Sequence, residues 1–166
     1  IFGKDKSTFE NIKILVLGGS QAARIFAQEL PPVFRRLKNS EIPFKVYQQC
    51  QKEQKNELFK IYEKEKIDFE IFNFSNNLTD YFFKTNLAIT RSGSSMLAEL
   101  ANANLPFICV PLPSSADNHQ FKNALHYQKN QSAFLLEEKD LNDKLLSLLK
   151  EIHDSNSILE KIMDNQ

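Results

Sequence analysis

Short apolar runs alternate with longer amphipathic stretches along the whole chain. Several of the runs are almost entirely apolar, which is expected of strands that are covered on both faces. Repeated strand and helix patterns predict an α/β fold in which a parallel sheet is flanked by helices. The six predicted strands are Ile12–Leu17, Phe44–Gln49, Asp68–Phe72, Leu87–Thr90, residues 107–110 and residues 133–136.

The segments between these strands have helical periodicity. Residues 22–38 are predicted to be helical but interrupted at Pro31 and Pro32, because proline lacks an amide hydrogen and its ring clashes with the preceding turn. The tail from Asp140 onward is leucine-rich at helical spacing and then becomes polar, which predicts a packed helix followed by a frayed one. The other predicted helices are residues 51–66, 76–85, 94–103 and 118–129, and the last three open with residues that can cap a helix N-terminus.

The composition narrows the class of protein. A chain of 166 residues with 42% hydrophobic and 25% charged residues is predicted to form one globular domain. Its formal net charge of zero gives no general electrostatic drive toward nucleic acid. Cys50 and Cys109 lie in apolar surroundings without partners at metal-ligand spacing, so we expect reduced thiols and a cytoplasmic location. Because the chain begins with Ile1, we expect an N-terminal part to be missing.

The first chemical signal is the turn Gly18-Gly19-Ser20, which follows the first strand and precedes a helix. The amides and the positive dipole end of a helix N-terminus, together with the Ser20 hydroxyl, can bind a phosphate or diphosphate. The alternative is a tight turn without a ligand. The run lacks the GxGxxG pattern and the Walker lysine, so it is neither a dinucleotide fingerprint nor a P-loop.

The second signal follows the fourth strand, where Arg91 precedes a turn of small residues and another helix start. Ser94 and Ser95 offer hydroxyls and amides, and the Glu99 carboxylate can accept hydrogen bonds from the two hydroxyls of a ribose. The alternative is that Ser94 only caps the helix and that Glu99 only stabilises the first helical turns through its interaction with the helix dipole.

The third signal is the polar loop after the fifth strand, in which His119, Gln120 and Asn123 can contact sugar hydroxyls. The alternative is a solvated loop. The first, fourth and fifth strands of a parallel sheet end at one edge, so the three runs are predicted to form one pocket where the strand order reverses. The sequence has no pair of aspartates with one intervening residue, so we expect helix N-termini, amides and Arg91 to meet phosphate charge without a metal ion.

Together, the runs GGSQAA, TRSGSSMLAELANANLPFICVPLP and DNHQFKNA resemble the signature of the MurG family, and the resemblance spans residues 12–136. It implies the C-terminal, Rossmann-like half of a two-domain GT-B glycosyltransferase. Such an enzyme is a hexosyltransferase that moves N-acetylglucosamine from UDP-N-acetylglucosamine to a lipid-linked muramoyl pentapeptide in peptidoglycan synthesis. The N-terminal acceptor domain, with the proposed base, would be absent from this chain, which we expect to be inactive alone.

The resemblance also implies a location and a set of contacts. The full-length protein would work without a cofactor, peripherally, at the inner face of the cytoplasmic membrane. Ala22 and Ser94 depart from the family pattern, which has glycine and alanine there, and the Ala22 methyl narrows the approach to the diphosphate. The implied UDP-N-acetylglucosamine contacts are Ser20 and Gln21 for the diphosphate, Phe74 and Ser75 for the uracil, Arg91, Ser94, Ser95, Met96, Leu97 and Ala98 along the α-phosphate and ribose, Glu99 for the ribose, and His119, Gln120 and Asn123 for the N-acetylglucosamine.

Three other functions stay open at this point. A UDP-sugar epimerase or hydrolase would share the donor pocket. A noncatalytic nucleotide-sugar-binding subunit of a membrane glycosyltransferase would share the pocket without the chemistry. A dinucleotide oxidoreductase is disfavoured by the glycine pattern.

Overall fold

The sheet and its helices were obtained as a computed structural model, which describes residues 10–19, 22–74, 77–155 and 157–166. Three single turns of 3-10 helix lie at Lys52–Gln54, Ala116–Asn118 and Glu138–Asp140. The strands are β1 (Ile12–Leu17), β2 (Phe44–Gln49), β3 (Asp68–Phe72), β4 (Leu87–Thr90), β5 (Phe107–Cys109) and β6 (Phe134–Leu135). The helices are α1 (Ala22–Asn39), α2 (Lys55–Lys64), α3 (Leu78–Lys84), α4 (Ser94–Asn102), α5 (His119–Lys129), α6 (Leu141–Asp154) and α7 (Ser157–Asn165).

All five strand pairs are parallel, and the strand order is β3-β2-β1-β4-β5-β6. The chain builds outward from β1 to β3 and then returns to place β4 on the other side of β1. The register puts Val16 beside Gln48 of β2 and Leu17 beside Thr90 of β4. This order confirms the predicted Rossmann-like α/β class and puts the reversal of strand order between β1 and β4.

The core has two halves, one on each face of the sheet. Ile14 and Val16 of β1 face a cluster that includes α1, α2 and α6, whereas Leu15 and Leu17 face a cluster that includes α3, α4 and α5. Cys50 and Cys109 are free and buried, as predicted. The nearly continuous apolar sequence of β1 therefore has its explanation in burial on both faces.

Helix α1 runs without a break through Pro31 and Pro32, so the predicted interruption is wrong. The prolines remove the amide donors for the carbonyls of Ala27 and Gln28, but Ala27 is half-buried and Gln28 is exposed, so solvent can reach this part of the helix. The opposite side anchors the helix through fully buried residues at helical spacing, which are Phe26, Leu30, Val33, Phe34 and Leu37. Burial of this stripe outweighs the loss of two backbone hydrogen bonds.

The chain's last helix is packed, so the prediction of a frayed tail is also wrong. Leu159, Ile162 and Met163 of α7 are at most 5% exposed. Beyond the helix, the Gln166 side-chain amide donates to the carbonyl oxygens of Leu105 at 3.2 Å and Ser132 at 3.0 Å. These contacts hold α7 to the segments that precede β5 and β6.

The helix ends differ from the capping prediction. The N-cap residues of α3, α4 and α5 are Asn77, Gly93 and Asn118, and none of them makes a side-chain capping hydrogen bond. At the C-termini, α2 and α5 are followed by Lys66 and Gln131 in the left-handed region, with φ of 54° and 55°. Paired backbone bonds such as Ile67 N to Tyr62 O form Schellman motifs there, although the left-handed residue is not glycine. Within the described residues, no helix is long and apolar enough to cross a membrane.

Candidate functional site

A cavity of about 450 Å³ lies at the carboxyl edge of the sheet, over the reversal of strand order. A second cavity of about 520 Å³ adjoins it and shares Arg91 and Leu112. Residues from all three sequence runs meet in the first cavity, as the topology predicts. Its lining consists of Leu17 and Gly19 after β1, Gln49 at the end of β2, Phe74 and Leu78 after β3, Thr90, Arg91, Gly93 and Met96 around the end of β4, and Leu112 and Gln120 after β5.

Two glycines line this cavity at positions where the protein itself has room for a larger side chain. A Cβ built on Gly19 or Gly93 meets no heavy atom within 4 Å. Neither glycine has a positive φ, so the backbone conformation does not require glycine either. Because glycine has no side chain, a ligand can approach the backbone at the ends of β1 and β4.

Helix α4 begins at the cavity wall. Its first amides have no partner within the helix, and the Leu97 amide is the first to bond back, to the Gly93 carbonyl at 3.1 Å. The Leu97 side chain is fully buried in the core, so the contact expected of this residue would have to come from its backbone, and that expectation stays a prediction. Met96 reaches the cavity, and the exposed residues in the first two turns of the same helix are Ser94, Ser95, Ala98 and Glu99.

The amide side chains of the third run bind the protein backbone. Gln120 Oε1 accepts from the amides of Leu112 at 2.9 Å and Ser92 at 3.3 Å. Asn123 Nδ2 donates to the Ser92 carbonyl at 3.0 Å. These bonds join the loops after β4 and β5 and leave Gln120 Nε2 as the group of this side chain that can face a ligand.

Arg91, which is expected to meet phosphate charge, lines both cavities and is engaged by other groups of the protein. It is 8% exposed, and its guanidinium pairs with Glu138 at 2.8 Å and donates to the carbonyls of Val110 and Pro111, each at 3.2 Å. Its guanidinium carbon also lies 5.2 Å from the centre of the Phe26 ring. A guanidinium taken out of water needs such acceptors, so Arg91 binds the loops together and its charge is already matched by Glu138.

His119 lies outside the cavity lining. Asp117 and Asn118, with φ of 50° and 55°, form a left-handed turn that the His119 amide closes by bonding to the Ala116 carbonyl. Aspartate and asparagine tolerate this region better than most residues. The His119 ring is exposed, and its Nδ1 lies 2.6 Å from the Ala116 carbonyl oxygen. The expected sugar contact of His119 is therefore not preformed.

Phe74 stands at the rim of the cavity with 62% of its surface exposed. Ser20, Gln21 and Ser75 lie outside the described residues, and the Ala22 side chain is likewise not described. The expectations for these four positions therefore stay predictions.

Sequence reasoning missed three contributors to the site. Gln49 is 5% exposed and lines the cavity floor, Leu78 forms part of the wall, and Glu138 holds Arg91. The available signal for Gln49 was two successive glutamines at the carboxyl end of a strand, since alternation points one of them toward each face. No sequence signal connected Glu138 with Arg91, which lies 47 positions earlier.

Burial disfavours the thiolate form of the two cysteines near this edge. Burial raises the pKa of Cys109 to about 12 from its ordinary value of 9.0, and desolvation also raises the pKa of Cys50. Among the described residues, no group of three or more histidine, cysteine, aspartate and glutamate side chains is arranged to hold a metal ion.

Residues 13–166 match the family model described as glycosyltransferase family 28 C-terminal domain. A protein of Pelagibacter ubique (strain HTCC1062), named UDP-N-acetylglucosamine–N-acetylmuramyl-(pentapeptide) pyrophosphoryl-undecaprenol N-acetylglucosamine transferase, is 39% identical over 140 residues, or 84% of this chain and 39% of that protein. A protein of the same name from Rickettsia bellii (strain RML369-C) is 31% identical over 92% of this chain and 44% of its own length. This chain thus spans about two fifths of these relatives.

A likeness of fold accompanies the likeness of sequence. The crystal structure of Acinetobacter baumannii MurG superposes with a TM-score of 0.80 at 23% sequence identity, over 93% of this chain and 45% of that chain.

Proposed function

The chain belongs to glycosyltransferase family 28 as its C-terminal domain, and from this premise we propose that it is the donor-binding domain of an inverting N-acetylglucosaminyltransferase. The substrate would be UDP-N-acetylglucosamine, and the acceptor a lipid-linked muramoyl pentapeptide bound by a separate N-terminal domain of a GT-B enzyme. The names of the relatives contain this donor and this kind of acceptor. This would make the full-length protein a hexosyltransferase of peptidoglycan synthesis.

The cavity at the strand reversal is the observation that carries the proposal. Gly19 and Gly93 have open space where a side chain would stand, and both lie where a phosphate group can approach backbone amides. The N-terminus of α4 adds unpaired amides and a positive dipole end beside Gly93. Among the described residues that line this cavity, Arg91 is the only cation and is paired with Glu138, so we propose that amides and the helix dipole meet most of the diphosphate charge.

The parts of the donor can be assigned along this edge. We propose the diphosphate over Gly19, with Ser20 and Gln21, and the uracil beside Phe74 and Ser75. The ribose would lie along α4, where Ser95 and Glu99 are exposed one helical turn apart. The sugar would extend toward β5, where Gln120 Nε2 and Asn123 are the nearest groups that can recognise hydroxyls.

The chemistry of this half is the stabilisation of the leaving group. The acceptor hydroxyl attacks the anomeric carbon and gives its proton to the base expected in the N-terminal domain, the bond to the β-phosphate breaks, and UDP leaves with the added negative charge. Amides and helix dipoles aimed at that charge lower the barrier because they need no reorganisation when the bond breaks. We expect transfer without an essential metal ion, so full-length enzyme should keep its activity in a chelator, and a loss that magnesium restores would contradict this.

Calorimetric titration of this chain with UDP-N-acetylglucosamine, UDP and NAD tests the donor assignment. We expect the uridine ligands to bind and NAD not to bind. Glu99→Ala should weaken UDP binding by roughly 10-fold or more, because a charge-assisted hydrogen bond to the ribose is lost. The matched control is Glu63→Ala, an exposed glutamate on α2, which should leave the affinity unchanged. Failure of every uridine ligand to bind, or a preference for NAD, would refute the proposal.

Two further measurements separate the related functions. Full-length protein incubated with UDP-N-acetylglucosamine and no acceptor should leave the donor intact, whereas an epimerase or a hydrolase would convert it. A coding sequence that continues upstream of Ile1 would favour a two-domain enzyme over a noncatalytic subunit. The full-length protein should associate with the cytoplasmic side of the membrane, where a lipid-linked acceptor is found, and fractionation of cells tests this.

A further inference from the structure

Gln49 lines the floor of the cavity, where its neighbours on the adjacent strands are mainly apolar. As the last residue of β2, it lies beside Phe72 of β3, and the pairing of Val16 with Gln48 places it beside Leu17 of β1. Leu17 in turn pairs with Thr90. Leu17 and Phe72 belong to the core cluster on that face, so Gln49 carries an amide into a floor that is mainly apolar.

The adjacent residue provides a comparison within the same strand, because its side-chain oxygen is bonded inside the protein while its Nε2 has no partner among the described residues. Gln48 points to the opposite face, where its Oε1 accepts a hydrogen bond of 2.5 Å from the Tyr62 hydroxyl. Gln49 is almost as deeply buried, at 5% exposure, yet its side chain makes no hydrogen bond with any described residue. It lines the cavity together with Gly19 and Arg91. Buried polar groups in native proteins are nearly always paired, so a largely buried amide that lines a cavity and makes no hydrogen bond with the described protein is free to bind a ligand there.

We propose that Gln49 is a further binding residue of this site, whose Nε2 donates a hydrogen bond to a phosphoryl oxygen of a nucleoside diphosphate. This inference rests on the proposed donor-binding function and adds a residue to it. The phosphate follows from position, because Gln49 lies beside Leu17, two residues before Gly19, where the open space and the approach to α1 favour an anion. The Arg91 charge is paired with Glu138, although its Nε has no hydrogen-bond partner among the described residues, so the Gln49 amide is a neutral side-chain donor that the cavity floor offers beside it.

Calorimetric titration of the whole chain with UMP and UDP, on three variants, tests this role. Gln49→Met keeps the volume and removes the amide, and it should weaken both ligands by roughly 10-fold. Gln49→Glu keeps the shape but sets a carboxylate against the phosphate, and it should weaken them further than Gln49→Met does. Gln48→Met is the matched control on the opposite face, and it should leave both affinities unchanged.

Thermal unfolding of the ligand-free variants distinguishes a binding role of Gln49 from a purely structural one, because a structural role would lower the melting temperature when the residue is replaced. Gln49→Met should keep or raise the melting temperature, because its amide has no partner among the described residues. Gln48→Met should lower it, because the buried Tyr62 hydroxyl loses its acceptor. Loss of affinity without loss of stability is therefore expected at position 49, and the reverse at position 48.

The outcomes separate this inference from the donor assignment. If the unsubstituted chain binds no uridine nucleotide, both fail. If it binds UDP and Gln49→Met binds UDP equally well, only the role of Gln49 is refuted. If Gln49→Glu binds as tightly as the unsubstituted chain, the amide does not face a phosphate and the proposal is overturned.

Discussion

The ion pair between Arg91 and Glu138 should contribute measurably to stability, unlike most ion pairs on protein surfaces. The two side chains are 10% and 27% exposed, and the nitrogen and oxygen atoms are 2.8 Å apart. For charges about 4 Å apart near a protein surface, the Coulomb attraction is about 4 kcal/mol before the cost of desolvation. After that cost, we expect a coupling energy of about 1–3 kcal/mol between the two side chains.

The single substitutions differ in what each leaves behind. Glu138→Ala should cost about 2 kcal/mol, because the Arg91 guanidinium keeps only the carbonyls of Val110 and Pro111 as acceptors. Arg91→Met should cost about 3 kcal/mol, because it also removes the donor to those carbonyls and the contact with the Phe26 ring. The double variant should cost less than the sum by the coupling energy.

Urea unfolding followed by far-ultraviolet circular dichroism measures these values, since the chain has no tryptophan to report by fluorescence. The neighbouring pair between Glu137 and Lys139 is the matched control, with side chains 46% and 76% exposed. Glu137→Ala should change the free energy of unfolding by less than about 0.5 kcal/mol. A coupling energy below about 0.5 kcal/mol for Arg91 and Glu138 would refute the reasoning, because the pair would then behave like an exposed one.

Four other substitutions test the description of the fold. Burial raises the pKa of Cys109 to about 12, whereas the thiol of the unfolded chain ionises near its ordinary pKa of 9.0. The contribution of this thiol to the free energy of unfolding is therefore full below pH 9.0 and falls between pH 9.0 and 12 by up to about 1.4 kcal/mol per pH unit. Cys109→Ala should therefore flatten the alkaline fall of the urea midpoint, and an unchanged slope would contradict the burial of the thiol. Lys66→Gly and Gln131→Gly should each raise the free energy of unfolding in urea by about 0.5–1 kcal/mol, because glycine adopts the left-handed conformation without strain. A lower free energy of unfolding would argue against left-handed residues at these helix ends. Pro32→Ala should raise the melting temperature by roughly 2–4 °C through the restored hydrogen bond to the Gln28 carbonyl, and a lower value would mean that the ring itself packs usefully.

The strands were the most predictable part of this protein. The bounds of β1 through β4 agree with the sequence pattern, because strands covered on both faces leave short apolar runs that few other structures produce. The pocket was predictable for a related reason. In a parallel sheet every strand ends at the same edge, so polar runs after the first, fourth and fifth strands had to converge.

Chemical type did not reveal what individual side chains do within that pocket. Arg91 has the charge expected of a phosphate ligand, yet Glu138 and two carbonyls engage it. Gln120 and Asn123 have the groups expected of sugar ligands, yet they first join two loops. Such partners come from distant parts of the chain, so the local sequence does not contain them.

The sequence by itself determined the class of fold, the strands and the edge at which the site forms, because hydrophobic periodicity and strand direction are local properties that repeat along the chain. Tertiary structure alone decided the continuity of α1 through Pro31 and Pro32, the docking of α7, and the burial of Arg91. Each of these depends on which distant surface covers a side chain. It also decided the place of Gln49. Gln48 and Gln49 are identical neighbours in the sequence, and they differ only in the face of the sheet to which their side chains point.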